Sequence, residues 1–150
     1  MSSSQSKPIA NTEFDVELDG TNIPGVIEVK LPEKNVETHN YREGTDMASG
    51  SKHLGEVTYT NLQFARAADS QNSSLDDWLT AAEEGRESDA KKQIAVMLKD
   101  RTGKTVARYN MEGAMVIQYS PPELNATPGG DQIAVETFVV DFDTMKIDRS

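Results

Sequence analysis

With 150 residues, 36% of them hydrophobic, the chain can close one core but hardly two. It has no cysteine, which excludes a disulfide framework, thiol chemistry and any cysteine-based metal site. A formal net charge of -10, with the cations scattered, argues against a nucleic-acid binder, which neutralises phosphates with grouped Lys and Arg.

Residues 1–12, mostly Ser, Gln, Lys, Pro and Asn, read as a flexible arm, and residues 13–150 as a single domain. The amino terminus lacks the apolar region of a signal peptide and no run approaches about 18 apolar residues, so the expected place of synthesis is the cytoplasm. From Glu13 the segment EFDVELDG alternates, with Phe14, Val16 and Leu18 on one face and Glu13, Asp15, Glu17 and Asp19 on the other. Asp19-Gly20 and Pro24-Gly25 mark turns, and Ile27, Val29 and Leu31 form a second alternating strand that Pro32 ends.

A third strand begins near Asn35 and leads to Tyr41-Arg42-Glu43-Gly44, the start of a long polar loop punctuated by Gly44, Gly50 and Gly55. Compact domains join most elements in about 4 to 6 residues, so a loop of this length suggests contact with another molecule. Strand resumes at Glu56 to Phe64, where the apolar side switches, which suggests a bulge near Asn61 or burial on both faces. The helix is SSLDDWLTAAEEG, with Leu75, Trp78, Leu79 and Ala82 at helical spacing, Ser74 as a cap and Gly85 as a stop.

After the charged connector GRESDAKK, the segment KQIAVMLKD reads as strand and Asp100 to Lys104 as a tight hairpin, with Gly103 supplying the positive φ. TVARYNM and AMVIQYS read as two more strands, Pro121-Pro122 stops the second, and IAVETFVVDF is a last strand apolar on both faces. The count is seven or eight strands and one helix.

No catalytic constellation stands out. His39 and His53 belong to no spaced motif; a shared metal is conceivable, but solvent-facing residues at an interface are the simpler reading. Gly103-Lys104-Thr105 lacks the first glycine of a phosphate loop, where Leu98 stands. Asp141, Asp143 and Asp148 lack the spacing of a calcium loop and read as a solvated tail, while Asp76-Asp77 and Glu83-Glu84 read as helix-end charges. Trp78 reads as core.

Taken in order, these segments resemble the tail tube (inner tube) proteins of contractile phage tails and phage-tail-like contractile injection systems. The most specific part is the carboxy-terminal third: Asp100-Arg101-Thr102-Gly103-Lys104, then Tyr119-Ser120 with Leu124-Asn125-Ala126, then Ile133-Ala134 with Glu136-Thr137. Phe14 to Gly20, Tyr41 to Gly44 and the Trp-bearing helix agree with it. The chain departs from the pattern at Pro24 to Leu31, at Met115-Val116 and at Val140 to Phe142, which leaves the kind of contractile system open.

The resemblance implies two packed antiparallel sheets forming a β-barrel or sandwich with one short helix, a fold related to the type VI secretion ring protein. It implies a structural subunit and no enzyme, without cofactor or metal, that forms hexameric rings stacked into a hollow tube inside a contractile sheath. Partners would be further copies of the chain, a sheath protein, baseplate and tube-terminating proteins, and a cargo in the lumen; the final location would be a phage tail or an injection particle. Within that frame Tyr41, Arg42, Glu43, Gly44, Asp46, Gly50, His53 and Gly55 are candidate assembly contacts. Glu13, Asp15, Glu17 and Asp19 are candidates to line the lumen, where net negative charge would keep DNA and acidic cargo from adhering. The alternatives are a secreted ring protein of the type VI kind and a monomeric ligand-binding barrel.

Overall fold

The computed structural model describes residues 13–41, 51–68, 73–124, 126 and 134–149. Strand β1 (Phe14–Leu18) turns through Asp19 and Gly20, at φ 50° and 83°, into the short β2 (Thr21–Asn22), with Leu18 facing Thr21. Two successive positive φ values define the tight hairpin that Asp-Gly favours, because its twist matches that of the strands. Then follow β3 (Val26–Lys30), β4 (Lys34–Tyr41), β5 (Ser51–Tyr59) and β6 (Leu62–Ala67). Helices α1 (Ser73–Glu83) and α2 (Glu87–Ala90) precede β7 (Lys92–Lys99), β8 (Thr105–Ser120), β9 (Val135–Asp141) and β10 (Thr144–Arg149).

The strands form two antiparallel layers that share β8. In the first sheet β2, β1, β7 and the first half of β8 lie side by side, with β10 on the other edge of β8. In the second sheet, the last part of β8 pairs with β9, β9 with β6 and β6 with β3. Inward positions of both layers meet in one core: Val16, Leu18, Ile94, Val96 and Met111 from the first, and Leu62, Phe64, Phe138, Val140 and Val116 from the second. Phe64 and Phe138 face each other across the β6–β9 pair and stack at 5.1 Å. Trp78 is fully buried and donates from Nε1 to the Ala90 carbonyl at 2.6 Å, which ties α1 to α2.

Several boundaries differ from those expected. The segments TVARYNM and AMVIQYS are one strand of 16 residues, because Gly113, at φ 68°, redirects the chain from one sheet to the other without a loop. The stretch 56–64 is two strands separated at Thr60-Asn61, so the switch of apolar side marks passage from the β4–β5 hairpin into the second sheet rather than a bulge. Thr60 Oγ1 accepts from the Glu33 amide at 2.7 Å and fixes that corner. The expected last strand ends at Asp141 and the supposed solvated tail beyond it is β10, with Asp148 facing Arg108 across the ladder. The charged connector contains α2, and α1 begins at Ser73, which places Ser74 within its first turn. The arm over residues 1–12 lies outside the described residues.

Candidate assembly surfaces

The first surface is the hairpin of β4 and β5. These strands pair with each other from Lys34 and Tyr59 out to Tyr41 and Ser51, and with no other strand among the described residues. An isolated two-stranded hairpin is marginal in water. This one is anchored at its base, where Tyr59 packs on Phe142 at 5.2 Å, and it exposes Val36 and Val57 as a cross-strand pair. The strands run further than expected: His53 and Gly55 lie within β5, not in a loop. His39 and His53 are register partners. Gly55 stands at the bulge where Gly55 and Glu56 oppose Glu37, so local geometry accounts for a glycine there. Arg42, Glu43, Gly44, Asp46 and Gly50 lie outside the described residues, and Tyr41 is placed only by its pairing with Ser51.

The second surface is the outer face of the first sheet, where Asp15 and Glu17 stand opposite in sense to Val16 and Leu18. Each of these acids, and Asp19 in the turn, has a cation: Asp15 pairs with Lys99, Glu17 with Arg108 at 3.1 Å, and Asp19 with Lys92 at 3.8 Å. The nearby carboxylate of Asp15 holds the Lys99 ammonium above its ordinary value. Arg108 also donates to Asn110 Oδ1 at 2.8 Å, and Asn110 in turn donates to Asp148 at 3.0 Å, so a polar ladder crosses β1, β8 and β10. Glu13 is exposed just before β1, and its carbonyl accepts from the Lys99 amide. The β1 face thus carries matched pairs rather than a bare row of carboxylates.

The third surface is the pair of edges of the second sheet. Among the described residues β3 is paired on one side only, by β6, and residues 115–120 of β8 on one side only, by β9. Both strands are bulged. Val26 faces Arg66 and Glu28 faces Ala65, leaving Ile27 as the extra residue; Val116 faces Val140 and Gln118 faces Val139, leaving Ile117 as the extra residue. These isoleucines are 49% and 50% exposed. Each lines a groove beside its edge. Ile27 sits with Phe14, Val29, Leu31, Val96 and Leu98 around about 230 Å³, and Ile117 with Leu79, Ala82, Val116 and Tyr119 around about 400 Å³.

Beneath the β8 edge runs a buried polar chain that the sequence reading missed. Arg66 on β6 and Glu136 on β9 are both more than nine-tenths buried and face each other, with Arg66 Nε donating to Glu136 Oε2 at 2.5 Å. Tyr119 on β8 donates to Glu136 Oε1 at 2.6 Å, and Arg66 Nη2 lies 3.6 Å from Asp76 on α1. The Glu136 bond, burial and the Glu136 charge together push the Tyr119 phenol up to about 12. Arg66 also lies over the Phe138 ring at 5.8 Å, and its Nη1 has no hydrogen-bond partner among the described residues. A signal was available: Arg66 shares parity with Leu62 and Phe64, and Glu136 with Phe138 and Val140, so opposite charges occupy inward positions of two apolar strands.

The Asp100 hairpin shows what a recurrent motif does locally. Asp100 Oδ1 accepts from the Thr102 amide, the Thr102 hydroxyl and the Lys104 amide at 2.6 to 3.0 Å. These bonds hold its carboxyl below the usual range. Gly103, at φ 85°, completes the turn.

Among solved structures, the fold is similar to a chain of the sheath–tube complex of the extracellular contractile injection system PVC in its extended state. That likeness has 23% identity and a TM-score of 0.78, and covers 100% of this chain and 99% of that one. It is also similar to a chain of the anti-feeding prophage tube-terminating cap, at 22% identity and TM-score 0.78 over 97% of this chain and 94% of that one. Hcp1 from Salmonella typhimurium matches less well, at 16% identity and TM-score 0.55 over 91% of this chain and 85% of that one. None of the curated proteins compared matches the sequence. Residues 10–146 match the family described as T4-like virus tail tube protein gp19, nearly the whole chain, and the protein therefore belongs to that tail tube family.

Proposed function

We propose that this subunit assembles with copies of itself into six-membered rings that stack into the inner tube of a contractile particle, and that its work is mechanical rather than catalytic. The observation that carries the reading is the β4–β5 hairpin. Among the described residues it pairs with neither sheet and exposes Val36 and Val57, as an arm that reaches for a neighbouring subunit would. Tyr41, Arg42, Glu43, Gly44, Asp46, Gly50, His53 and Gly55 belong to this arm or its tip and are the proposed contacts to the next ring. The similar chains come from a sheath–tube complex and a tube-terminating cap, and a further one from a baseplate. That supports a sheath, a baseplate and a cap as partners and an extracellular or phage-borne particle as the final location. Residues 13–150 act in this reading as one assembling domain. Glu13, Asp15, Glu17 and Asp19 remain candidates for the lumen wall, the last three now as ion pairs that soften its negative charge.

The test is negative-stain microscopy of the purified protein, alone and with its sheath and baseplate partners. Rings or tubes are the expected result; a strictly monomeric protein at every concentration and in every mixture would overturn the reading. Deletion of Thr45 to Ser51 is expected to leave a folded subunit that no longer stacks, and normal yields of tube from that variant would remove the arm's role.

A further inference from the structure

We infer that His39 and His53 form a binding site for one divalent transition-metal ion of the zinc, nickel or copper class, which clips the two strands of the β4–β5 hairpin together. The site goes beyond the mechanical role proposed above and does not depend on assembly.

The chain has two histidines and no cysteine, so these two imidazoles are its whole supply of the imidazole and thiolate donors that such ions prefer. The fold sets them opposite each other. Along the outer part of the hairpin Thr38 faces Leu54, His39 faces His53 and Asn40 faces Lys52. Directly opposed residues of an antiparallel pair stand on one face, with Cβ atoms about 4.5 to 5.5 Å apart. A pair of imidazoles carried at that separation suffices to hold one ion at the usual zinc–nitrogen distance of about 2.0 to 2.1 Å.

The bulge makes the pair. Val36 faces Val57, and the extra residue on β5 then shifts the register so that Thr38 faces Leu54. Without that shift the ladder would continue to His39 opposite Leu54 and Asn40 opposite His53, with the histidines on different faces. The irregularity at Gly55 and Glu56 therefore has a consequence beyond local shape.

Charge agrees with a cation. Strand alternation places Glu37 on the face of His39, and Lys34 and Lys52 on the other face. A carboxylate on the histidine face and a net charge of -10 both attract a positive ion. The hairpin also has a use for one. A two-stranded hairpin is marginal in water, and β4 and β5 pair with no other strand among the described residues. An ion held by both strands binds only the paired state and so stabilises it, with its remaining coordination positions filled by water.

The test is calorimetric titration of the untagged protein with zinc chloride and, separately, nickel chloride. About one ion per chain is expected. His39→Ala and His53→Ala, checked for fold by circular dichroism, are each expected to weaken binding by about tenfold or more. Hydrogen exchange of the unmodified protein supplies a second reading that needs no variant. At a free zinc concentration of about 100 times the Kd, amides of β4 and β5 that exchange by strand separation are expected to slow about 100-fold, and those of β6 to β9 to stay unchanged. Binding at unmodified affinity by the double variant would place the ion on carboxylates and overturn the site. One ion per two chains, or binding that leaves exchange in the hairpin untouched, would equally overturn it. Tubes formed by a chain that binds neither ion would sink the metal site alone, whereas failure to form rings would leave these readings intact.

Discussion

The two halves of β8 are one continuous strand with opposite fates. Residues 105–112 are interior: β7 pairs along one edge and β10 along the other, and the outer face is closed by the Glu17–Arg108–Asn110–Asp148 ladder. Among the described residues, 115–120 have β9 on one edge only, with the groove beneath α1 beside the other and a buried ion pair below. The change occurs at Gly113: Lys92, at the start of β7, faces Ala114, and β7 supplies no partner to the residues of β8 beyond it. A half paired on both edges and a half paired on one can thus share one strand, and the difference lies in which neighbours the chain supplies.

The largest way to break this asymmetry is Arg66→Ala. It would leave Glu136 buried without its cation and is expected to cost about 3 to 5 kcal/mol in chemical denaturation, whereas Arg66→Met/Glu136→Met is expected to lie close to neutral. Equal losses from both variants would show that the ion pair is not what holds the second sheet. Next comes Gly113→Ala. At φ 68° a side chain is strained, and its Cβ would collide with the Asp143 carboxylate, so a loss of about 1 to 3 kcal/mol is expected. Adding Asp143→Ala should recover the collision but not the strain; no recovery would place the whole cost in the backbone.

A smaller effect should appear with pH. The folded Tyr119 phenol titrates at about 12, above its unfolded value of 10.0. Its contribution is therefore complete below pH 10 and is lost as pH rises from about 10 to about 12. Because the ring is partly exposed, we expect about 1 kcal/mol, read as the difference between wild type and Tyr119→Phe in unfolding free energy over that window. Parallel profiles would mean that the bond to Glu136 is not kept in solution. Smallest is Glu17→Gln on the closed half: its pair with Arg108 is partly exposed, and a loss of about 0.5 kcal/mol or less, fading with salt, is expected. A loss above that of Gly113→Ala would reverse the ranking of the two halves.

Local patterns were legible where local forces decide. Alternation located β1, β3 and β7, helical spacing located α1 around Trp78, and Asp-Gly and Asp-Arg-Thr-Gly-Lys located two hairpins, because turn chemistry and amphipathic period act over a few residues. The order of motifs carried the family. Continuity was not legible: TVARYNM and AMVIQYS read as two strands, and whether the glycine between them ends a strand or bends it depends on which partners arrive on either side. Nor was the true extent of the hairpin, since a polar strand without a core face has no alternating signature.

What the sequence by itself determined is a β-rich chain with a Trp-anchored helix and the succession of segments found in tail tube proteins. Only the tertiary structure decided that the acids of β1 are neutralised by Lys99, Arg108 and Lys92, and that Arg66 meets Glu136 under Tyr119. It alone showed that, among the described residues, β3 and the end of β8 are each paired on one side. Those facts join residues tens of positions apart, and the sheet topology that brings them together is set by the packing of the whole core rather than by any stretch of it.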